Sequence, residues 1–268
     1  MKFAFMSFST PELTLADTLA LAKNLGYNGI EPRLDADHSH GVEISRTAAE
    51  RESIRRQADR HGIPFACLAT SCRYADPENR AQAVEDTHER IDLAADVGCS
   101  RLRVFGGNYP EKIAREDAVA GVASALSEVA DHAQERGVTL CLETHDAWCD
   151  PQHVAAVMRA VNHPAVAVNW DVMHPVRTGA ASVDEAFETL RPWIRHAHIH
   201  DGVFPEGKLQ FVPIGRGEVD HKRLLQVLAA SKYEGFLSGE WIKWEPAQTH
   251  LPRELATLHQ YMHEATGG

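Results

Sequence analysis

"GVTLCLETHD", residues 137–146, carries a complete strand signal. A glycine suited to closing a helix comes first, an apolar run follows, and a cluster of polar groups ends it. Alternate side chains of a strand point to opposite faces. Val138, Leu140 and Leu142 therefore share one face, and Cys141, Glu143 and His145 the other. Helical patterns over 113–136 and 151–162 lie on either side, so the stretch reads as a strand between two helices.

The same unit recurs along the chain. Apolar runs stand at "FAFMSFS" (3–9), "GIEPRLD" (29–35), "IPFACLATS" (63–71), "RLRVFGG" (101–107), "VAVNWDVMH" (166–174), "RHAHIHDG" (195–202) and "GFLSGEW" (235–241). Helical patterns cover 12–25, 47–61, 78–97, 182–192, 220–231 and 252–265. Gly26, Gly62, Gly98 and Gly137 each fall between a helical pattern and a strand. Short strand runs alternating with longer helical periods predict βα units and a parallel sheet. Eight of each in 268 residues predict a single-domain (β/α)8 TIM barrel over 1–268. A doubly wound open sheet is the rival, but no G-x-G-x-x-G follows the first strand. The longest loops are 35–46 and 202–219.

Composition narrows the function. The net charge is −11, from 27 basic and 38 acidic residues, which disfavours nucleic acid and anionic membranes as partners. No apolar segment approaches a membrane span, and the run in "MKFAFMSFSTPEL" is too short and serine-broken for a signal peptide. Cys67, Cys72, Cys99, Cys141 and Cys149 form no C-x-x-C pair, which points to reduced thiols and a cytoplasmic protein.

Alternation in the later strands turns Asn169 and Asp171 inward, then His196, His198 and His200, then Ser238 and Glu240. Four consecutive strands thus end with an inward Glu143, Asp171, His198 and Glu240. The intervals are 28, 27 and 42 residues, one βα unit each, the last with a longer loop. The four are expected at one depth near the C-terminal mouth, where barrel active sites lie. Three carboxylates in a lumen repel unless compensated, and a divalent cation is the simplest compensation. Three oxygen donors and one imidazole, without thiolate, suit Mn²⁺ first, with Mg²⁺, Co²⁺ or catalytic Zn²⁺ as alternatives.

"CLETH", "NWDVMH", "HAHIHD", "VPIGRGEVD" and "FLSGEW", in that order after an opening "GYNGIE", resemble the xylose-isomerase-like TIM-barrel superfamily. More narrowly, the chain is similar to the sugar phosphate isomerase/epimerase group, which includes ketose 3-epimerases, hydroxypyruvate isomerases, inosose dehydratases and 3-dehydroshikimate dehydratases. The resemblance covers essentially the whole chain. It implies Glu143, Asp171, His198 and Glu240 as metal ligands, with Glu143 and Glu240 also acting as acid and base on opposite faces of the substrate. It implies a substrate contact for His174. His200 stands where many members have lysine in H-x-K-D. A homo-oligomer is common in the group. The apurinic endonucleases share the barrel but use extra histidines, where this chain has Ser71 and Arg103.

A metal-held carbonyl acidifies the neighbouring C–H, and a carboxylate can remove that proton to give an enediolate. Returning the proton gives an isomerase or epimerase of a sugar or keto-sugar, the leading reading. Expelling a β-leaving group gives a lyase or dehydratase acting on a keto-sugar, keto-glycoside or keto-cyclitol, and His145 is its candidate base or proton donor. A non-catalytic sugar-binding barrel is the third reading. His196 reads as a deeper, hydrogen-bonded lumen residue. Further candidate substrate contacts are His200, Arg216, Glu31, Arg33, Arg103 and Trp148. For Glu31, Arg33 and Arg103 the alternative is an internal ion pair, and for Trp148 and Trp244 it is loop packing. His38 and His40 mark a lid or a solvated loop.

Overall fold

The helices' apolar stripes and the strands' alternation require a sheet buried on both faces, and the computed structural model, which describes residues 1–267, forms one. Gly268, the end of the expected 1–268 span, lies outside the described residues. The strands are β1 (Lys2–Met6), β2 (Gly29–Glu31), β3 (Leu68–Arg73), β4 (Arg101–Phe105), β5 (Thr139–Glu143), β6 (Val166–Asp171), β7 (Ile194–Ile199), β8 (Asp201–Val203), β9 (Gln210–Val212) and β10 (Phe236–Gly239). The helices are α1 (Leu15–Leu25), α2 (Ala48–His61), α3 (Arg80–Asp96), α4 (Arg115–Glu135), α5 (Pro151–Val161), α6 (Met173–Arg177), α7 (Val183–Leu190), α8 (His221–Ala230) and α9 (Ala247–Thr266).

Eight parallel strands run in the order β2-β1-β10-β7-β6-β5-β4-β3. Parallel bridges Ile30–Phe65 and Arg33–Ala69 join the two ends, so the sheet closes as the expected TIM barrel. Outward residues such as Leu140, Leu142, Val168, Trp170 and Leu237 are fully buried beneath the helices. Each such leucine stabilises the fold by about 1.5–3 kcal/mol relative to exposure. Local chemistry sets the helix ends. Thr47 with Glu50 and Ser182 with Glu185 form capping boxes at α2 and α7. Gly26 closes α1 at φ +91°, a conformation glycine adopts without strain. All five cysteines are buried thiols. No helix among the described residues is long and apolar enough to cross a membrane.

Three stretches depart from expectation. The strand run drawn to 174 stops at Asp171, because its Oδ1 accepts the backbone N–H groups of Met173 (2.9 Å) and His174 (3.2 Å) and turns the chain into α6. Helix α9 begins at Ala247, with Pro252 inside it rather than at its start. The loop expected over 202–219 contains an antiparallel ribbon of β8 and β9. The buried Asp201 carboxylate fastens this ribbon, accepting N–H bonds from Gly202, Gly215, Gly217 and Val219 at 3.0, 2.8, 2.9 and 3.2 Å. A Cβ on Gly217 would fall 2.2 Å from Asp201 Oδ1, so that position takes only glycine without rearrangement.

Candidate metal centre

Glu143 ends β5, Asp171 ends β6, His198 lies near the end of β7, and Glu240 follows β10. Asp171 stands opposite His198 in register, but Glu143 pairs with Asn169 and His198 with Ser238. Glu143 and Glu240 are thus each offset by two residues from the neighbouring ligand strand. The tilt and stagger of a barrel turn such offsets into equal height along its axis. One ligand atom from each of the four lies within 4.8 Å of all the others. Glu143, Asp171, His198 and Glu240 are 1%, 0%, 0% and 8% exposed, so water screens their charges little.

The donors fit a divalent cation. Glu143 Oε2 and Asp171 Oδ2 are buried and accept no hydrogen bond. Their nearest cationic neighbours, Arg103 Nε at 3.3 Å and His200 Nε2 at 3.1 Å, are outside hydrogen-bond geometry. His198 Nδ1 faces two carboxylates, Glu143 Oε1 at 2.7 Å and Glu240 Oε2 at 3.1 Å. On its far side Nε2 donates to Glu31 Oε1 at 3.0 Å. Burial opposes charge on His198, but Glu31, Glu143 and Glu240 outweigh it and raise the pKa well above the ordinary value. Burial also works against ionisation of Glu240, which His198 and Arg103 overcome, bringing its pKa down to about 2. With such oxygens and one imidazole, a hard or borderline divalent ion is the natural occupant.

Around the mouth, His200 Nδ1 donates to the Glu240 carbonyl at 2.9 Å, which turns Nε2 toward Asp171. The His174 ring packs edge-on to His145, with centroids 4.3 Å apart, and its Nε2 lies 3.8 Å from Asp171 Oδ2. His145 is 30% exposed in its side chain, and Nδ1 lies 2.9 Å from Asp146 Oδ1. Burial opposes its protonation, but Asp146 and Glu143 raise its pKa above the ordinary value. Two further trios, Asp171–His174–His200 and Glu31–His196–His198, also bring potential ligand atoms together, each sharing one residue with the four-residue set.

Several expected substrate contacts have other positions. Glu31 is fully buried behind His198, bonding His196 Nε2 at 2.8 Å and His198 Nε2 at 3.0 Å. It is a partner of His196 and His198 and not part of the open surface. His196 is the deeper hydrogen-bonded residue expected. Arg103 is 1% exposed, pairs with Glu143, donates to the Thr70 carbonyl at 2.9 Å and covers the Phe105 ring at 3.9 Å. That is the internal ion pair. Trp148 is wholly buried and donates to the Gly107 carbonyl at 2.8 Å, which is loop packing. Arg216 is exposed, and its side chain makes no bond to the site among the described residues. His40 is buried, with Val42 N–H on Nδ1 and Nε2 toward the Arg33 carbonyl, while Asp35, Asp37 and Ser39 of the same loop are exposed. Arg33, half-buried, stays at the mouth and donates to Ser71 Oγ at 2.7 Å. Asp146 was absent from the expectation, although its place next to His145 was the available signal.

Residues 19–261 match the family model described as xylose isomerase-like TIM barrel. L-ribulose-5-phosphate 3-epimerase UlaE of Salmonella typhimurium is 25% identical over 233 residues, covering 82% of this chain and 79% of that protein. The probable 3-DHS dehydratase AsbF of Bacillus anthracis superposes with a TM-score of 0.80 at 18% identity, covering 97% of this chain and 99% of that one. The IolI protein solved with a bound zinc atom gives 0.79 at 19% identity, covering 100% and 98%.

Proposed function

This chain belongs to the xylose isomerase-like TIM-barrel family, and we propose that it is a divalent-metal-dependent isomerase or epimerase acting on a small sugar or keto-sugar. The observation that carries the reading is the pair of carboxylates, Glu143 and Glu240, meeting at one imidazole nitrogen in a nearly dry lumen. The epimerase activity of the curated relative supports the same class. Glu143, Asp171, His198 and Glu240 would hold the cation, Mn²⁺ by first choice, with Mg²⁺, Co²⁺ or Zn²⁺ as alternatives. When bound, a divalent ion acts as a Lewis acid on a carbonyl oxygen and lowers the pKa of the adjacent C–H.

The protein's own groups do the rest. One of Glu143 and Glu240 takes the proton from the carbon beside the carbonyl. For epimerisation the other returns a proton to the opposite face of that carbon, and for isomerisation the proton goes to the neighbouring carbon. His174, His200 and Arg33 are positioned to orient hydroxyls at the mouth. Burial of the four residues strengthens the electrostatic interactions among them. The enzyme is assigned to the cytoplasm, in keeping with its five buried thiols, and to a carbohydrate substrate rather than nucleic acid or membrane. A homo-oligomer is compatible with this reading.

His145, raised in pKa and backed by Asp146, favours a second reading. In a lyase, a carboxylate would take the α-proton while His145 delivers one to the departing β-oxygen. The likeness to a probable dehydratase adds only the fold. A non-catalytic sugar-binding barrel would have no use for opposed carboxylates. The test is proton NMR of Mn²⁺- or Mg²⁺-loaded protein in D₂O with ketoses, keto-glycosides and keto-cyclitols. Deuterium at one carbon of the recovered or epimerised sugar is the expected result, absent in Glu240→Gln. Olefinic signals would instead establish the lyase. Binding without exchange or elimination across the panel would refute both enzyme readings.

A further inference from the structure

A polar cavity of about 450 Å³ opens beside the barrel mouth, over the ends of β3 and β4. Its volume lies within the range of pockets that hold an organic ligand, roughly 300–1,000 Å³. Two of its walls are also parts of the mouth. Ser71 Oγ accepts from Arg33 at 2.7 Å, and Asp146 lies 2.9 Å from His145 Nδ1. The candidate ligands lie outside the cavity wall, so the space is an extension of the centre and not the centre itself.

The lining has the chemistry of carbohydrate recognition. Hydroxyl and amide groups come from Ser71, Asn79, Gln82 and Asn108. The Asn108 amide has no hydrogen-bond partner among the described residues, and Gln82 spends only its Nε2, on Asp86 at 3.0 Å. Carboxylates come from Asp76, Asp86 and Asp146, with Arg90 facing Asp86 at 4.0 Å and Arg33 bonded to the Ser71 wall. Arg73 already faces Asp146 at 3.8 Å and covers the Phe105 ring at 5.3 Å. Such carboxylates accept bonds from sugar hydroxyls.

We propose that this cavity is a subsite for a second sugar ring, so that the substrate is a keto-glycoside. The proposal rests on the reading of the mouth as a ketose site. In that arrangement the ketose sits over the carboxylates and the second ring lies against Gln82 and Asn108.

The test uses the metal-loaded protein and three glucosyl-fructoses, maltulose, leucrose and isomaltulose, beside D-fructose and fructose 6-phosphate. Affinities come from NMR titration, ring contacts from saturation transfer, and chemistry from deuterium uptake in D₂O. At least one glucosyl-fructose should bind about tenfold more tightly than fructose, the gain of one or two added hydrogen bonds. Saturation should reach its glucosyl protons. The exposed pair Gln82→Leu and Asn108→Leu should erase the gain and leave fructose affinity unchanged. Glucosyl-fructoses no tighter than fructose, fructose 6-phosphate the tightest, or no binding by any probe would each overturn the proposal. Exchange on fructose without a gain from the second ring overturns the subsite alone. A gain without exchange on any probe supports the subsite and counts against the isomerase or epimerase reading of the mouth.

Discussion

Replacing Glu31 by glutamine separates two roles that both involve this residue in the site. Glu31 Oε1 receives the Nε2–H of His198 at 3.0 Å, and Oε2 receives that of His196 at 2.8 Å. An acceptor-only carboxylate fixes His198 with Nδ1 toward Glu143 and Glu240 and makes that nitrogen a more basic ligand. Glutamine keeps the shape and one acceptor but removes the charge, and it points an amide at one imidazole. Loss of such an outer partner typically lowers metal affinity about 10- to 100-fold, or about 1.4–2.7 kcal/mol. Metal-stripped protein titrated with Mn²⁺ by calorimetry reads this directly. At saturating metal the substrate KM should stay within about twofold, because Glu31 is 0% exposed behind His198. An unchanged metal Kd together with a raised KM would refute the argument and return Glu31 to the substrate surface.

Arg103→Met should destabilise the protein by about 3 kcal/mol in urea melts, since it removes the guanidinium facing the buried Glu143 Oε2 and leaves only His198 to offset that carboxylate. Added metal should recover part of that loss. In the metal-free protein the surrounding carboxylates hold His198 protonated at neutral pH. Metal binding must therefore release a proton, and affinity should weaken up to about tenfold per unit as pH falls below the His198 pKa. Calorimetry in buffers of different ionisation enthalpy checks this, and buffer-independent heats would count against it. Burial brings His40 from 6.5 to about 4, despite its bond to the Arg33 carbonyl. The unfolded chain then binds a proton that the folded one refuses between those values. Stability should fall by up to about 3 kcal/mol as pH drops from 6.5 to 4, and His40→Gln should flatten that slope in thermal melts.

The barrel and the inward cluster of Glu143, Asp171, His198 and Glu240 were legible because both depend on short-range alternation. Glu143 follows Leu142 and Glu240 follows Gly239, and the two-residue period alone turns each inward. The roles of Glu31 and Arg103 were not legible. Glu31 meets His198 across 167 positions of chain, a pairing set by barrel closure. Nothing near either residue announces it. The false extension of β6 to His174 has a local cause. Val172 and Met173 continue the apolar run, and only the capping bonds of Asp171 reveal the turn into α6. His145 was legible as a mouth residue, but its charge state needed Asp146 in place.

The β8–β9 ribbon is fastened at its base and exposed at its tip. Asp201 grips its base, Glu254 takes the Ile214 N–H at 2.8 Å, and Phe211 lies 5.6 Å from the His200 ring. The tip over Pro205–Gly207 buries nothing. Insertions at such exposed tips are commonly tolerated. Lengthening the chain between Pro205 and Lys208 would therefore graft new groups beside the mouth while every ligand-bearing strand keeps its register. The ribbon is the part of this barrel through which a lineage can change what it accepts without rebuilding how it works.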